Sequence, residues 1–251
     1  MVRKFMFDRY FCPAWLLVVG LGLVSGCSAP REVEGVWRPG PGASPEHIPG
    51  PLKNFGPFDV AADALSAACP LILSKPNASV VALQEAQPEV ALRMATEYCA
   101  WLYATPDGRY EMSMLSDSSR PGDAVRGLRS CSLPPFVDDS RYAPDSLKQI
   151  FALHNHPFGT RLSARDLRFI ESMATVHDWE VLTREGRIRL SIVAFFSRSR
   201  DASAPTCDGF YQYVPATREM MLWTRTGGRW KQESHGTVTW LDERTYRLDA
   251  L

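Results

Sequence analysis

"FALHNHPFGTRLSARDL", residues 151–167, is the stretch on which the fold and the chemistry of this chain depend most. It begins as an apolar run that ends at Pro157, and proline ends a strand because it has no amide hydrogen to give to the sheet. Side chains two residues apart on a strand lie on the same face, so His154 and His156 point the same way. The segment therefore predicts a strand that ends in a pair of imidazoles.

The loop after the histidines leads into a predicted helix. Ser163 is a good N-cap residue, and Asp166 stands three residues later, in the first turn. The helix itself is indicated by apolar residues at helical spacing, namely Leu167, Ile170, Met173 and Ala174. Two imidazoles and one carboxylate, with water in the fourth position, are the ligand set of an open catalytic Zn²⁺ site. His154, His156 and Asp166 are therefore candidate metal ligands.

Each half of this pattern also has a purely structural explanation. Ser-x-x-Asp before an apolar stripe is an ordinary helix cap, and two histidines one residue apart occur by chance. The two halves together, in this order and at this spacing, are more specific than either alone. The combination favours a metal site.

Upstream of this stretch, the chain alternates helical and strand patterns. Residues 59–69 predict an alanine-rich helix that Pro70 stops, and residues 88–98 predict a second helix with proline in its first turn. Residues 99–104, "CAWLYA", predict a strand, followed by the turn "TPDG" and the strand-like residues 109–115.

Downstream, residues 188–196 are a mostly apolar run that is typical of a buried central strand. Residues 207–251 alternate strand-like runs with turns, which is typical of a β-meander. The predicted fold class is α+β, a mixed sheet flanked by helices with a C-terminal β-meander. Three tryptophans of the meander are predicted to pack rather than to form a carbohydrate- or peptide-binding surface, and they are Trp223, Trp230 and Trp240.

The N-terminal residues 1–26 have the pattern of an export signal. Basic residues precede the apolar run of residues 14–23, which is too short to span a bilayer, and small residues lead to Cys27. The segment "VSGC" resembles the lipobox of bacterial lipoproteins, which implies cleavage before Cys27 and lipidation of its sulfur. Ser28, where an inner-membrane retention signal has aspartate, implies the outer membrane, facing the periplasm. An ordinary signal peptide or an uncleaved anchor is the alternative.

Residues 27–54 contain six prolines and four glycines and predict a linker that buries no core. The linker would lift the following domain, residues 55–200, off the membrane. The whole chain has 28 Lys+Arg and 28 Asp+Glu, so no basic excess indicates nucleic acid as a partner. The membrane contact is expected through the lipid alone.

Four cysteines remain besides Cys27 and the signal-peptide Cys12. In an oxidising compartment they can form two disulfides, and the sequence leaves all three pairings open. Since no Cys-x-x-Cys pair occurs, a cysteine-based structural zinc site is not expected. The four are Cys69, Cys99, Cys131 and Cys207.

Residues 154–157, "HNHP", with Ser163 and Asp166 resemble the motif of the JAMM (MPN+) metalloproteases, His-x-His-Pro followed by Ser-x-x-Asp. That family also has a glutamate just before an upstream strand, in the pattern Glu-x-Cys-Gly-x-Leu. Here residues 97–102, "EYCAWL", stand in that place and begin with Glu97. The layout of residues 55–200 is similar to a JAMM-related domain found in bacterial toxins. The resemblance implies a JAMM/cytidine-deaminase-like sheet.

The resemblance also implies the roles of five residues. His154, His156 and Asp166 would bind Zn²⁺, which lowers the pKa of a bound water to about 7. Glu97 would act as general base and then as general acid. Ser163 would hydrogen-bond the oxyanion. The implied activity is hydrolysis of a peptide or isopeptide bond in a protein or peptide substrate.

Two departures from the family pattern favour an alternative of a different class. Nine residues separate His156 from Asp166 where the family usually has ten, and Ala100 stands where the family has glycine. The alternative is a JAMM-fold binding or scaffold lipoprotein without turnover. A serine hydrolase using Ser163 lacks the Gly-x-Ser-x-Gly elbow, and a Cys-His protease lacks a local signature. An HNH nuclease is excluded because that name denotes dispersed residues.

Overall fold

The computed structural model describes residues 32–40, 46–118 and 130–250 of the chain. The predicted signal peptide, residues 1–26, and the predicted lipidation site, Cys27, lie outside the described residues. Within the described part of the chain, no helix combines the length and the apolar character needed to cross a membrane.

Three apolar runs form the centre of the fold, and they lie side by side in the sheet. They are β3 (Cys99–Ala104), β7 (Lys148–Asn155) and β10 (Ser191–Phe196). β7 pairs in parallel with β10 and antiparallel with β3. Every residue of β3 and β10 is buried, as expected for strands of mostly apolar sequence.

Beyond β3, the sheet continues through short strands. β3 pairs with β4 (Tyr110–Met112) and, at its start, with β5 (Leu115–Ser116). β5 pairs in parallel with β1 (Val36–Trp37). The turn between β3 and β4 uses Gly108, whose φ of 79° is a conformation that favours glycine.

Beyond β10, the predicted β-meander is confirmed, and it continues the central sheet instead of forming a sheet of its own. Each strand pairs antiparallel with the next, beginning with β10 against β11. Trp223 and Trp230 pack on Phe210, which agrees with a packing role for these two tryptophans. The four strands are β11 (Gly209–Val214), β12 (Glu219–Thr226), β13 (Arg229–Trp240) and β14 (Tyr246–Asp249).

Two small sheets accompany this ten-stranded mixed sheet of the described residues. β2 (His47–Gly50) pairs in parallel with β6 (Phe136–Asp139), and β8 (Glu180–Thr183) forms a hairpin with β9 (Gly186–Arg189). A 3₁₀ turn, Pro144–Ser146, precedes β7.

One face of the central sheet is covered by α1 (Ala61–Leu73). Its buried residues pack in one apolar cluster with Leu102, Leu153 and Val193 of the three central strands. Two shorter helices follow along the chain, α2 (Val81–Ala86) and α3 (Pro88–Met94).

The other face is covered by α4 (Ala164–His177), which buries Leu167 and Ile170. It packs in a second cluster with Trp101, Ala152 and Ile192, the immediate neighbours of the residues under α1. Neighbouring residues of a strand face opposite sides, so the two helices lie on opposite faces. The α+β fold class predicted from the sequence is confirmed.

The described part of the predicted linker, residues 27–54, belongs to the fold, and the linker prediction is wrong there. β1 and β2 both pair with strands of the domain, and Ile48 and Leu52 are buried. Proline does not prevent this, because a prolyl carbonyl still accepts. Met114 N–H donates to the carbonyl of Pro49 at 2.8 Å. The domain therefore begins before residue 55.

The ends of two predicted helices also differ. α1 continues through Pro70 to Leu73, because its last turn buries Ile72 and Leu73 and this packing outweighs the missing amide donor. The predicted helix over residues 88–98 ends at Met94. After Met94 the chain has no regular secondary structure until β3, and it carries Glu97 towards the start of that strand.

The two disulfide pairings left open by the sequence are Cys69–Cys207 and Cys99–Cys131. The first joins α1 to the chain between β10 and β11, and the second joins the start of β3 to the segment before β6. Each therefore connects parts of the fold that are distant in sequence.

Replacing both Cys69 and Cys207 by alanine is expected to lower the free energy of unfolding by about 3–5 kcal/mol. The reason is that this disulfide closes a loop with a sequence separation of 138, which restricts the unfolded chain strongly. Urea unfolding without reductant measures the change. Wild type treated with reductant gives the upper bound of this loss in stability, since it loses both disulfides. A loss below about 1 kcal/mol would contradict the prediction.

Candidate metal centre

His154 and His156 stand at the carboxyl end of β7, in the middle of the sheet. The extended chain continues one residue past the strand, since His156 N–H donates to the carbonyl of Phe195 at 2.8 Å. Both side chains therefore face the same way, as their spacing predicts, and only 4% and 6% of the two residues is exposed. Their Nε2 atoms are 2.9 Å apart.

The main chain around the histidines fixes their ring orientation. His156 Nδ1 lies 2.7 Å from the carbonyl oxygen of Thr160, and His154 is hydrogen-bonded to the main chain of Val193. A ring nitrogen that donates to a carbonyl leaves the other nitrogen of a neutral imidazole with a lone pair. This outer hydrogen bonding is the arrangement found around metal-binding histidines.

Asp166 is brought to the same place by the start of α4. Ser163 and Asp166 form the predicted capping box: Ser163 N–H donates to Asp166 Oδ2 at 2.6 Å, and Asp166 N–H donates to Ser163 Oγ at 3.3 Å. Asp166 Oδ2 then lies 3.4 Å from His156 Nε2, and Oδ1 lies 3.8 Å from His154 Nε2. The nine-residue connection therefore delivers the carboxylate to both imidazoles.

These three side chains could hold a metal ion, since one ligand atom from each lies within 4.8 Å of the others. Burial lowers the pKa of His154 to about 4, so this imidazole is neutral at pH 7. Burial opposes ionisation of Asp166 too, but the hydrogen bond from His156 and the electrostatic interaction with the two neighbouring histidines hold its pKa well below the ordinary value. His154 and Asp166 therefore have the forms that bind a metal. Burial alone would lower the pKa of His156, but Asp166 and Glu97 raise it, so a metal would displace a proton from this imidazole.

Glu97 reaches this group from the neighbouring strand. In the antiparallel register of β3 and β7, Cys99 lies opposite His154. Continuing this register by two residues brings Glu97 opposite His156. The Glu97 side chain lines the same pocket as the three candidate ligands.

Asn155, between the two histidines, points to the other face and holds the Glu97 segment in place. Its Oδ1 accepts from Tyr98 N–H at 2.7 Å, and its Nδ2 donates to the carbonyls of Thr96 and Ala78 at 3.0 and 2.6 Å. The amide therefore binds the residues on both sides of Glu97. Asn155 therefore has a structural role here and is not one of the candidate ligands.

Replacing Asn155 by alanine is expected to lower the free energy of unfolding by about 3 kcal/mol. Two carbonyls and one amide lose a buried partner, and each unsatisfied buried group is costly. Urea unfolding measures the loss. Gln232→Ala, which removes an exposed amide, is the matched control and should change stability by less than about 0.5 kcal/mol. A loss of stability no larger than that of the control would contradict this role of the Asn155 hydrogen bonds.

The Glu97 carboxyl has an unusual proton affinity. Burial raises its pKa to about 7, and the charge of Asp166 adds to the rise, while His156, the main chain of Cys131 and Arg165 oppose it. A pKa near neutrality suits a group that must both take up and release a proton. Cys131 is bonded to Cys99, so the second disulfide ties this wall of the pocket to β3.

Ser163 completes the polar part of the pocket. Its oxygen accepts from Asp166 N–H, and a hydroxyl that accepts can still donate its own hydrogen. Apolar side chains form other parts of the wall, among them Leu133, Phe158 and Phe169. All five residues singled out by the sequence therefore line one pocket.

Three contributors to the centre have no signal in the sequence. Thr160 and Val193 orient the histidines, and Cys131 contacts Glu97, all through the main chain. A main-chain group is present at every position, so residue type does not reveal its use. Another histidine, His177, lies outside the centre, where its Nε2 is 2.7 Å from the carbonyl oxygen of Pro135 and its ring packs on Trp101.

Comparisons with known proteins assign no family to the chain. No protein-family model, curated protein or solved structure matches it. The likeness to JAMM metalloproteases stays a prediction from the motif residues.

Proposed function

We propose that this chain is an exported, lipid-anchored zinc metallopeptidase or isopeptidase of the JAMM type. One observation carries the proposal: three metal-ligand side chains and a carboxyl group with a pKa near 7 converge in a single pocket. The ligands are His154, His156 and Asp166, and the carboxyl group is that of Glu97. Perturbed titratable groups of this kind cluster at catalytic sites.

The residues present fit Zn²⁺. Tetrahedral zinc with bonds of about 2.0–2.1 Å separates its ligand atoms by roughly 3.3 Å. In the structure, the two histidine Nε2 atoms are 2.9 Å apart, His156 Nε2 is 3.4 Å from Asp166 Oδ2, and His154 Nε2 is 3.8 Å from the other carboxylate oxygen, Oδ1. Two histidines with one carboxylate are also a ligand set that leaves a fourth position open.

Bound zinc would polarise the amide carbonyl and acidify a water molecule at the open position. Glu97 takes the proton from the attacking water and gives it to the departing amine, so the C–N bond breaks to a carboxylate and an amine. Ser163 donates a hydrogen bond to the oxygen that gains negative charge, which is worth about 3 kcal/mol in comparable sites. Asn155 keeps Glu97 in place, because it binds the residues on either side of it.

Export and anchoring rest on the N-terminal pattern that ends at Cys27. The two disulfides support this part of the proposal, because disulfides form and persist in oxidising compartments. The lipid would hold the protein at the outer membrane, facing the periplasm.

Hydrolysis in H₂¹⁸O tests the proposed activity. Zinc-loaded protein is incubated with a diverse peptide mixture and with a cell-envelope extract, and new carboxyl ends are detected by mass spectrometry. We expect one ¹⁸O atom in each new carboxyl end and no cleavage after zinc is removed by a chelator. A zinc-loaded protein that cleaves nothing would leave the alternative of a binding lipoprotein.

A further inference from the structure

The pocket of the metal centre continues into a second cleft. Arg161, Ala164 and Arg244 line both, so the two spaces share a wall. The second cleft, called the arginine cleft below, lies between the loop that follows His156 and the turn from β13 to β14. A substrate at the metal centre can therefore extend into it.

Among the described residues, the arginine cleft is lined by three arginines and by no aspartate or glutamate. The three are Arg161, Arg244 and Arg247. Arg247 is already paired, since its Nε lies 2.6 Å from Asp249 Oδ1. For the other two, the described residues provide no carboxylate within 4.0 Å. The chain as a whole has no net charge, so this local excess of positive charge is a property of the cleft.

The Arg244 turn is connected to the loop that follows His156 by a hydrogen bond. Asp242 Oδ1 accepts from the main-chain N–H of Arg244 and Thr245, so the Asp242 carboxylate is occupied in shaping the turn. Just after the turn, Tyr246 O–H donates to the carbonyl of Leu162 at 2.6 Å. The meander is thus bonded to the loop that carries Arg161.

The Arg161 loop is fixed from its other side as well. The carbonyl of Thr160, the residue before Arg161, lies 2.7 Å from His156 Nδ1. Both arginines therefore stand on segments whose main chain is tied to the candidate ligands or to each other. An arginine on such a segment suits a carboxylate, because its guanidinium can offer two parallel N–H donors.

We propose that the arginine cleft binds a carboxylate of the substrate. The substrate is then a peptide or isopeptide that carries a carboxylate within a few atoms of the amide that is cut, and Arg161 and Arg244 are its specificity residues. This inference rests on the proposed peptidase function and gives the C-terminal meander a part in it.

Zinc-anchored probes test the inference without a known substrate. The probes are the monohydroxamates of succinic, glutaric and adipic acid, together with the same compounds in which the free carboxylate is a primary amide. The hydroxamate binds the metal in both series, and the chain length varies how far the carboxylate reaches. Isothermal titration on the zinc-loaded full-length protein gives the dissociation constants.

We expect the best acid to bind about tenfold more tightly than its amide, as a charge-assisted contact should. Arg161→Gln and Arg244→Gln should each remove most of this preference and leave the affinity for the amide unchanged, which also shows that the variants are folded. Arg247→Gln is the matched control, because that side chain is already paired with Asp249. It should keep the preference.

Equal affinity for acid and amide at every chain length would overturn the inference, and the peptidase proposal would remain. A preference that survives in both Arg161→Gln and Arg244→Gln would overturn it too. A protein that takes up no zinc and binds neither series would instead overturn the proposed function, and the inference with it.

Discussion

Alanine at His156 or at Asp166 is expected to abolish stoichiometric zinc binding. Wild type should hold about one zinc per chain, and each variant should hold little or none. Changing a group that merely orients a metal ligand costs about 10–100-fold in affinity, so losing a ligand should cost more than a hundredfold. Each variant leaves two ligands, which is too few for a closed coordination set.

Elemental analysis of the purified proteins after zinc loading and desalting measures this effect. His235→Ala and Asp145→Ala are the matched controls, since both residues lie away from the pocket. The controls should bind zinc like wild type. A folded wild-type protein that stays free of zinc, or variants that keep it, would rule out the assigned ligands.

Glu97→Gln should reduce hydrolysis by a factor of about 10²–10⁴, the usual contribution of a positioned acid–base group. The substitution keeps the size of the side chain and its capacity to hydrogen-bond, and it removes the group that takes up the proton. Zinc binding should be unchanged, because Glu97 is not among the three residues that could hold the ion.

The measurement compares initial rates of the zinc-loaded proteins on any peptide that wild type cleaves. Glu89→Gln, an exposed glutamate on α3, is the matched control and should retain full activity. Unchanged hydrolysis in Glu97→Gln would remove this residue from the mechanism, even with the zinc site intact.

The parts of the centre that depend on local geometry were predictable from the sequence. The period of two along a strand places His154 beside His156. The capping pattern places Ser163 at the start of α4 and Asp166 in its first turn, and the structure has both. The strand at residues 99–104 has the bounds that its apolar sequence predicts.

Features that depend on tertiary contacts were not predictable. Packing of Ile72 and Leu73 carries α1 past Pro70, and the pairing of β2 with β6 overrides the proline content of the predicted linker. The disulfide pairings follow from which segments meet in space, which cysteine spacing does not reveal. The proximity of Arg244 to the metal centre likewise depends on a tertiary contact, the hydrogen bond between Tyr246 and the carbonyl of Leu162.

The three candidate ligands are close together in sequence, whereas Glu97 is distant from them in sequence. His154, His156 and Asp166 belong to one continuous strand–loop–helix segment, whereas Glu97 meets them through the pairing of β3 with β7 and the bonds of Asn155. Local openings of a folded protein break some groups of contacts and spare others. Fraying at the start of β3 would therefore separate Glu97 from the metal centre while the three ligands stay together. A bound ion thus reports the integrity of one short segment, and turnover reports in addition the pairing of β3 with β7.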